Sequence, residues 1–248
     1  MKPAWKLSMF LLSASLAMPL ACKKENLCDC FKSTGKIITE NRAVSLVNRI
    51  FLDDNINLVL TSGDTAMLRV EAGKNLLPLI KTTIEGDEIH IRNDNRCNWV
   101  RSYKHKPTVY LTLPLVDFIY YSGSGDISMS NTFTSDTIAV NSWDGSGTIN
   151  LDLNCRATHL NLHTGPADIN VKGSASESYI WCAGNGMLHG ENFITGYTYI
   201  EHKGTGNCYL NVTHELHAII HWTGSIYYSG HPQIVVPQIS GKGKLIEE

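Results

Sequence analysis

From about residue 107 to 246, apolar and polar residues alternate in short bursts. Ile127 and Met129, Ile149 and Leu151, Ile169 and Val171, and Cys208 and Leu210 are each spaced by two. That is the period of a strand with one buried face. Each burst follows a glycine corner. The first is Gly123-Ser124-Gly125-Asp126-Ile127, and it recurs as Gly145-Ser146-Gly147-Thr148-Ile149, Gly165-Pro166-Ala167-Asp168-Ile169, Gly184-Asn185-Gly186-Met187-Leu188 and Gly204-Thr205-Gly206-Asn207-Cys208. A shortened Gly224-Ser225-Ile226 and a final Gly241-Lys242-Gly243-Lys244-Leu245 complete the series. The first glycines stand 22, 20, 19, 20, 20 and 17 residues apart. A fixed period near 20 marks a stack of repeats, each too short to bury its own apolar face and each completed by its neighbours.

The pattern therefore predicts an all-β chain, a parallel β-helix or solenoid of coils of roughly 20 residues, capped by an irregular N-terminal β region. A meander of antiparallel hairpins is the competing arrangement, but hairpins turn about every 8–12 residues. A column five residues before each first glycine (Phe118, Val140, Leu160, Tyr179, Tyr199, Ile219, Val236) is apolar throughout and is expected to point inward. Upstream, Met67–Glu71 and Ile80–Ile84 read as further strands, and Gly86-Asp87 as a hairpin turn into Glu88–Ile91. Asn55-Ile56-Asn57-Leu58 echoes Thr148-Ile149-Asn150-Leu151 and is a candidate first coil of the same stack.

The start of the chain reads as an address. Lys2 and Lys6 precede an apolar run from Leu7 to Leu20 that is too short to span a bilayer. Pro19-Leu20-Ala21-Cys22 is similar to a bacterial lipobox, in which the peptide is cut before the cysteine and the thiol is acylated. The alternative is cleavage after Ala17. The expected organisation is a signal peptide over 1–21, a tether over 22–41 and one domain over 42–248, lipid-anchored to the membrane through Cys22. If Cys22 is acylated, six of the seven cysteines remain. A disulfide from Cys28 or Cys30 to Cys97 is one expectation. Cys155, Cys182 and Cys208 read as buried thiols, which behave as small apolar residues.

Charged residues make up 18% of the chain and the net charge is −2, with no basic run longer than two. Nothing here points to nucleic acid. There is no phosphate loop, dinucleotide fingerprint or nucleophile elbow, so no cofactor is expected. Two candidate constellations remain. Asp126 and Asp168 share a column two coils apart, about 9–10 Å at the strand spacing, near the carboxylate separation of inverting glycosidases. An aspartate after a glycine turn more commonly caps backbone N–H groups. The second column lies two residues before each glycine: Tyr121, Trp143, His163, Cys182, His202 and Trp222. If exposed, it would form a flat aromatic strip for a carbohydrate or protein ligand. Its histidines and cysteine are possible metal ligands, but stacked coils do not converge them on one ion. Trp99, in the basic stretch 93–107, is a further candidate contact, with a cap over the solenoid as the plainer reading.

Several motifs taken together are similar to the family called putative auto-transporter adhesin, head GIN domain. They are Cys30-Phe31-Lys32-Ser33-Thr34-Gly35, Asp54-Asn55-Ile56-Asn57-Leu58, Glu71-Ala72-Gly73-Lys74-Asn75-Leu76-Leu77, the repeated Gly-Ser-Gly-Asp-Ile corners, and Tyr228-Ser229-Gly230-His231-Pro232 through Ser240-Gly241-Lys242-Gly243. The resemblance covers roughly 42–246. It implies an exported β-helical protein, often a lipoprotein of Gram-negative bacteria, with an adhesion role and no catalytic residues to carry over. The leading expectation is a non-enzymatic envelope binding or scaffold module, placed at the outer membrane by this resemblance; the alternative is a β-helix enzyme acting on polysaccharide.

Overall fold

The computed structural model describes residues 33–96 and 105–248. The strands are β1 (Ile37–Arg42), β2 (Arg49–Asp54), β3 (Asn57–Ser62), β4 (Met67–Gly73), β5 (Ile80–Glu85), β6 (Glu88–Asn93), β7 (Thr108–Leu113), β8 (Phe118–Gly123) and β9 (Ile127–Met129). They continue as β10 (Phe133–Ser142), β11 (Thr148–Leu162), β12 (Asp168–Cys182), β13 (Leu188–His202), β14 (Cys208–Ile220), β15 (Ile226–Ser229), β16 (Ile234–Ile239) and β17 (Leu245–Glu247). From β8 onward successive coils pair in parallel, as in Leu160↔Ile180 and Ile180↔Ile200. The solenoid is therefore formed, and the hairpin alternative is excluded.

Each long strand bends once and serves two faces. One face stacks β7, β3, β9 and then the first halves of β11 to β14, ending in β15 and β17. The other stacks β6, β2, β8, β10 and the second halves of β11 to β14, ending in β16. Between the faces, Ile127, Ile149, Ile169 and Leu188 meet Ile119, Val140, Leu160 and Ile180 in one continuous core. Burying a leucine or isoleucine side chain contributes roughly 1.5–3 kcal/mol, and this core carries the fold.

The N-terminal echo is a true coil. Leu58 pairs with Ile127, so β2–β3 stacks directly under β8–β9. On its other side lies the coil β6–β7, so the first coil in the chain is held between two later ones. β1, β4 and β5 pair antiparallel and form the irregular cap. The β5–β6 hairpin turns at Gly86, whose φ is +66°, as Gly86-Asp87 led one to expect. Residues assigned to the tether through 41 include most of β1, which hydrogen-bonds along β4.

The expected inward column needs correction. Val140 and Leu160 are fully buried, but Tyr179 and Tyr199 are each 37% exposed, and Phe118, Ile219 and Val236 lie outside the buried set. Their inward partners are Ile119, Ile180, Ile200 and Ala218, with Leu160 seated between Val140 and Ile180. The first glycines of two successive corners are 19 residues apart where the paired strands advance by 20. In a strand, one residue of slip exchanges the faces. Cys155, Cys182 and Cys208 are buried free thiols, with the Sγ atoms of Cys182 and Cys208 3.5 Å apart. Cys22, Cys28, Cys30, Cys97 and Trp99 lie outside the described residues.

A candidate ligand-binding flank

The corner column explains the two aspartates. Asn57 Oδ1 accepts the N–H of Asp126, Asp126 accepts that of Thr148 (both 3.0 Å) and Asp168 accepts that of Met187 (2.7 Å). Asn207 and Ser225 continue the series toward Ser225 and Lys244 (3.0 and 3.1 Å). One side chain in each of these coils thus caps the corner of the next. Asp126 and Asp168 are engaged as turn residues, as the plainer reading had it.

The column two before each glycine does not form one strip. Tyr121, Cys182 and His202 turn inward in line with Ser142, Leu162 and Ile220. The phenol of Tyr121 donates to the Gly125 carbonyl at 2.6 Å and accepts from the Gly147 N–H at 2.9 Å. His202 does the same work at a later corner. The Gly204 N–H donates to Nδ1 at 3.1 Å, so Nε2 carries the proton that it donates to the Gly206 carbonyl at 2.7 Å. These two residues are interior braces for corner backbone groups that water cannot reach. Neither can touch a surface ligand. Trp143 and His163 do meet outside, with rings stacked at 4.0 Å, while Trp222 stands 58% exposed further along. Among the described residues no group of three or more His, Cys, Asp or Glu could hold a metal ion.

The neutral His202 makes stability pH-dependent. Burial holds its pKa below the ordinary 6.5. In acid the unfolded chain takes up a proton that the folded chain refuses, so stability falls as pH drops below about 6.5, until the folded imidazole itself titrates. Urea midpoints measured between pH 7.5 and 5 should decline, and His202→Gln, which removes the titration, should flatten this dependence. An unchanged slope in the variant would remove His202 from this role.

The outer surface instead carries ladders that the glycine count missed. On the β10–β16 face His159, Tyr179, Tyr199 and His217 stack at 5.0, 5.3 and 4.9 Å between ring centroids. The first two pairs are within 12° of parallel, so neighbouring rings cover one another's faces. What reaches solvent is a row of ring edges and hydroxyls rather than a flat aromatic strip. Glu177 accepts the Tyr179 hydroxyl at 3.0 Å and pushes its pKa up. Glu201 pairs with Lys203 at 2.8 Å and His221 at 3.1 Å, and the Lys203 hydrogen bond leads in holding its carboxyl below the usual range. A shallow concavity of about 330 Å³ lies among Tyr179, Trp181, Tyr199, Glu201 and His217. On the opposite face Asn170 Nδ2 donates to Asn150 Oδ1 at 2.8 Å, and a second ladder runs His189, Tyr209, Tyr227 at 5.3 and 5.0 Å. The twenty-residue recurrence of His159, Tyr179 and Tyr199 was the sequence signal for the first ladder.

The family model described as putative auto-transporter adhesin, head GIN domain, matches residues 48–232. No curated protein matches the chain. Among solved structures, a putative adhesin from Bacteroides fragilis superposes with TM-score 0.80 at 22% identity, covering 86% of this chain and 97% of that one. A protein described as a putative lipid binding protein, from Parabacteroides distasonis, gives TM-score 0.70 at 18% identity over 87% and 98%. A putative adhesin from Parabacteroides merdae gives 0.67 at 18% over the same shares. At these identities the structures testify to the fold.

Proposed function

Because the chain belongs to the family of the putative auto-transporter adhesin, head GIN domain, we propose that it is an exported, non-enzymatic binding module of the cell envelope, tethered by an acylated Cys22. The supporting observation is the flank itself. Stacked coils hold outward rings and amides in fixed register over many coils, with Tyr179 and Tyr199 still 37% exposed. A rigid, repetitive outer surface pays little ordering entropy on contact and suits an extended ligand. The capped state of Asp126 and Asp168 weighs against the polysaccharide-enzyme alternative, since both accept backbone N–H groups.

The test uses full-length chain expressed in cells. Wild-type protein should sediment with membranes, and its cells should adhere to immobilised envelope or host-surface material more than cells lacking it. Cys22→Ala should move the protein to the soluble fraction and abolish the adhesion. Retention of the variant in the pellet at wild-type level would remove the lipid anchor. Equal adhesion with and without the protein would remove the adhesin reading.

A further inference from the structure

Among the described residues of β11 to β14 the register shifts along β13, by a step at Gly196, which faces Thr213 and His214 of β14, and by a larger break over residues 190–193. Between the pairs Asn170↔His189 and Lys172↔Asn192, Val171 of β12 faces two residues of β13, Gly190 and Glu191. On the other side of β13 the disruption grows. Between His189↔Tyr209 and Ile194↔Asn211, the single residue Leu210 faces four, Gly190 to Phe193. The strand therefore bulges outward, with Phe193 turned into the core at 3% exposure while Glu191 and Asn192 stand in solvent. Bulges redirect side chains and recur beside functional sites. Beside this bulge lies an open groove of about 420 Å³ crossing three coils, walled by Asn150, Asn170, Lys172, His189, Glu191 and Asn192. That volume is in the usual range for small-ligand sites, roughly 300–1,000 Å³.

We propose that this groove binds a segment of neutral glycan lying along the solenoid axis. This rests on the reading of the chain as a binding module and names its ligand class. Three amides line the groove, and each offers both a donor and an acceptor, the pairing that adjacent sugar hydroxyls require. Asn170 and Asn150 are already oriented by their mutual bond of 2.8 Å. Lys172 pairs with Asp152 at 3.0 Å, and Glu191 adds a carboxylate 3.4 Å from His189 Nδ1. With its one lysine already paired and a further carboxylate on the wall, the groove offers little to a phosphate, sulfate or uronate. The bulge is also pinned from beneath, because Asn211 Nδ2 donates to the Glu191 carbonyl at 3.2 Å. The groove wall is thus built before any ligand arrives, which lowers the ordering cost of binding.

The probe is an array of neutral, N-acetylated, sialylated and sulfated oligosaccharides, exposed to folded full-length protein, followed by titration with whichever oligosaccharide binds. Neutral or N-acetylated glycans should bind. Asn170→Ala, Glu191→Gln and the bulge-tip variant Asn192→Ala should each weaken affinity about tenfold, the cost of one lost hydrogen bond of roughly 1.4 kcal/mol. Asn192 is exposed, so its variant separates loss of binding from loss of fold. Gln238→Ala, at an exposed position of β16 on the opposite face, should bind as wild type. Binding restricted to sialylated or sulfated glycans overturns the ligand class. Neutral-glycan binding that survives all three groove variants overturns the site. No glycan binding, in a protein whose cells still adhere, overturns this inference and leaves the binding module standing.

Discussion

Leu160→Ala should lower the unfolding free energy by about 2–5 kcal/mol, the range for a truncated core leucine that leaves a cavity. Leu160 is fully buried between Val140 and Ile180, with the opposite face of the solenoid closing over it. The coil backbones are hydrogen-bonded on both sides, so the site cannot collapse to fill the void. The damage should also stay local, because each coil touches only its neighbours. Amide exchange in the variant should rise most in β10, β11 and β12, with β2 and β3 less affected. A loss below 1 kcal/mol, or a rise spread evenly through the chain, would contradict the stacked architecture.

Gly186→Ala should be at least as damaging, for a different reason. A Cβ at Gly186 would sit 1.8 Å from the carbonyl oxygen of Ala167 and 2.6 Å from its carbon. That obstacle is the backbone of the preceding coil, which no rotamer change can move. Two coils would have to separate at the corner, at a cost on the order of 3 kcal/mol or more. Gly86 provides the contrast. Its φ is +66° but nothing lies within 4 Å of the added Cβ, so Gly86→Ala should cost only the left-handed strain of about 1–2 kcal/mol. Thermal and urea denaturation of the two variants gives the order directly, and a larger loss at Gly86 would refute the close-approach argument.

The twenty-residue period was legible because every coil repeats the same two demands, a corner without Cβ and an alternating apolar strand. What the period could not carry was phase. Counting from glycines placed Tyr179 and Tyr199 inside, whereas the strand ladder aligns Ile180 and Ile200 with Leu160. Corner length varies by a residue without disturbing the stack, and the face changes with it. The same tolerance hid the bulge. Leu188 to Cys208 is a full period of 20, and the extra residues of β13 are absorbed in a shorter following coil, Cys208 to Ile226. The column before the glycines picks out Tyr121 and His202 but assigns them to surface chemistry. That they brace corners from inside depends on partners such as Gly125 and Gly206, which only the folded geometry reveals. The resemblance to known adhesins identified the family without locating a site.

The coil β2–β3, held between β6–β7 and β8–β9, sets the order in which the protein can assemble. Within β11 to β14 partners lie about 20 residues apart, as Thr158 and Ser178 do. Asn57 and Asp126, which join β3's coil to the next, are 69 apart. Loop-closure entropy makes the longer connection about 1 kcal/mol harder to close, and non-local pairing slows folding. As the chain is made, β2 and β3 must therefore wait for β8 and β9 to follow them, while the C-terminal coils can zip up one upon another. The N-terminal end of the stack is thus closed by contacts of long sequence separation, so a chain cut short before residue 127 would leave β3 without its β9 partner.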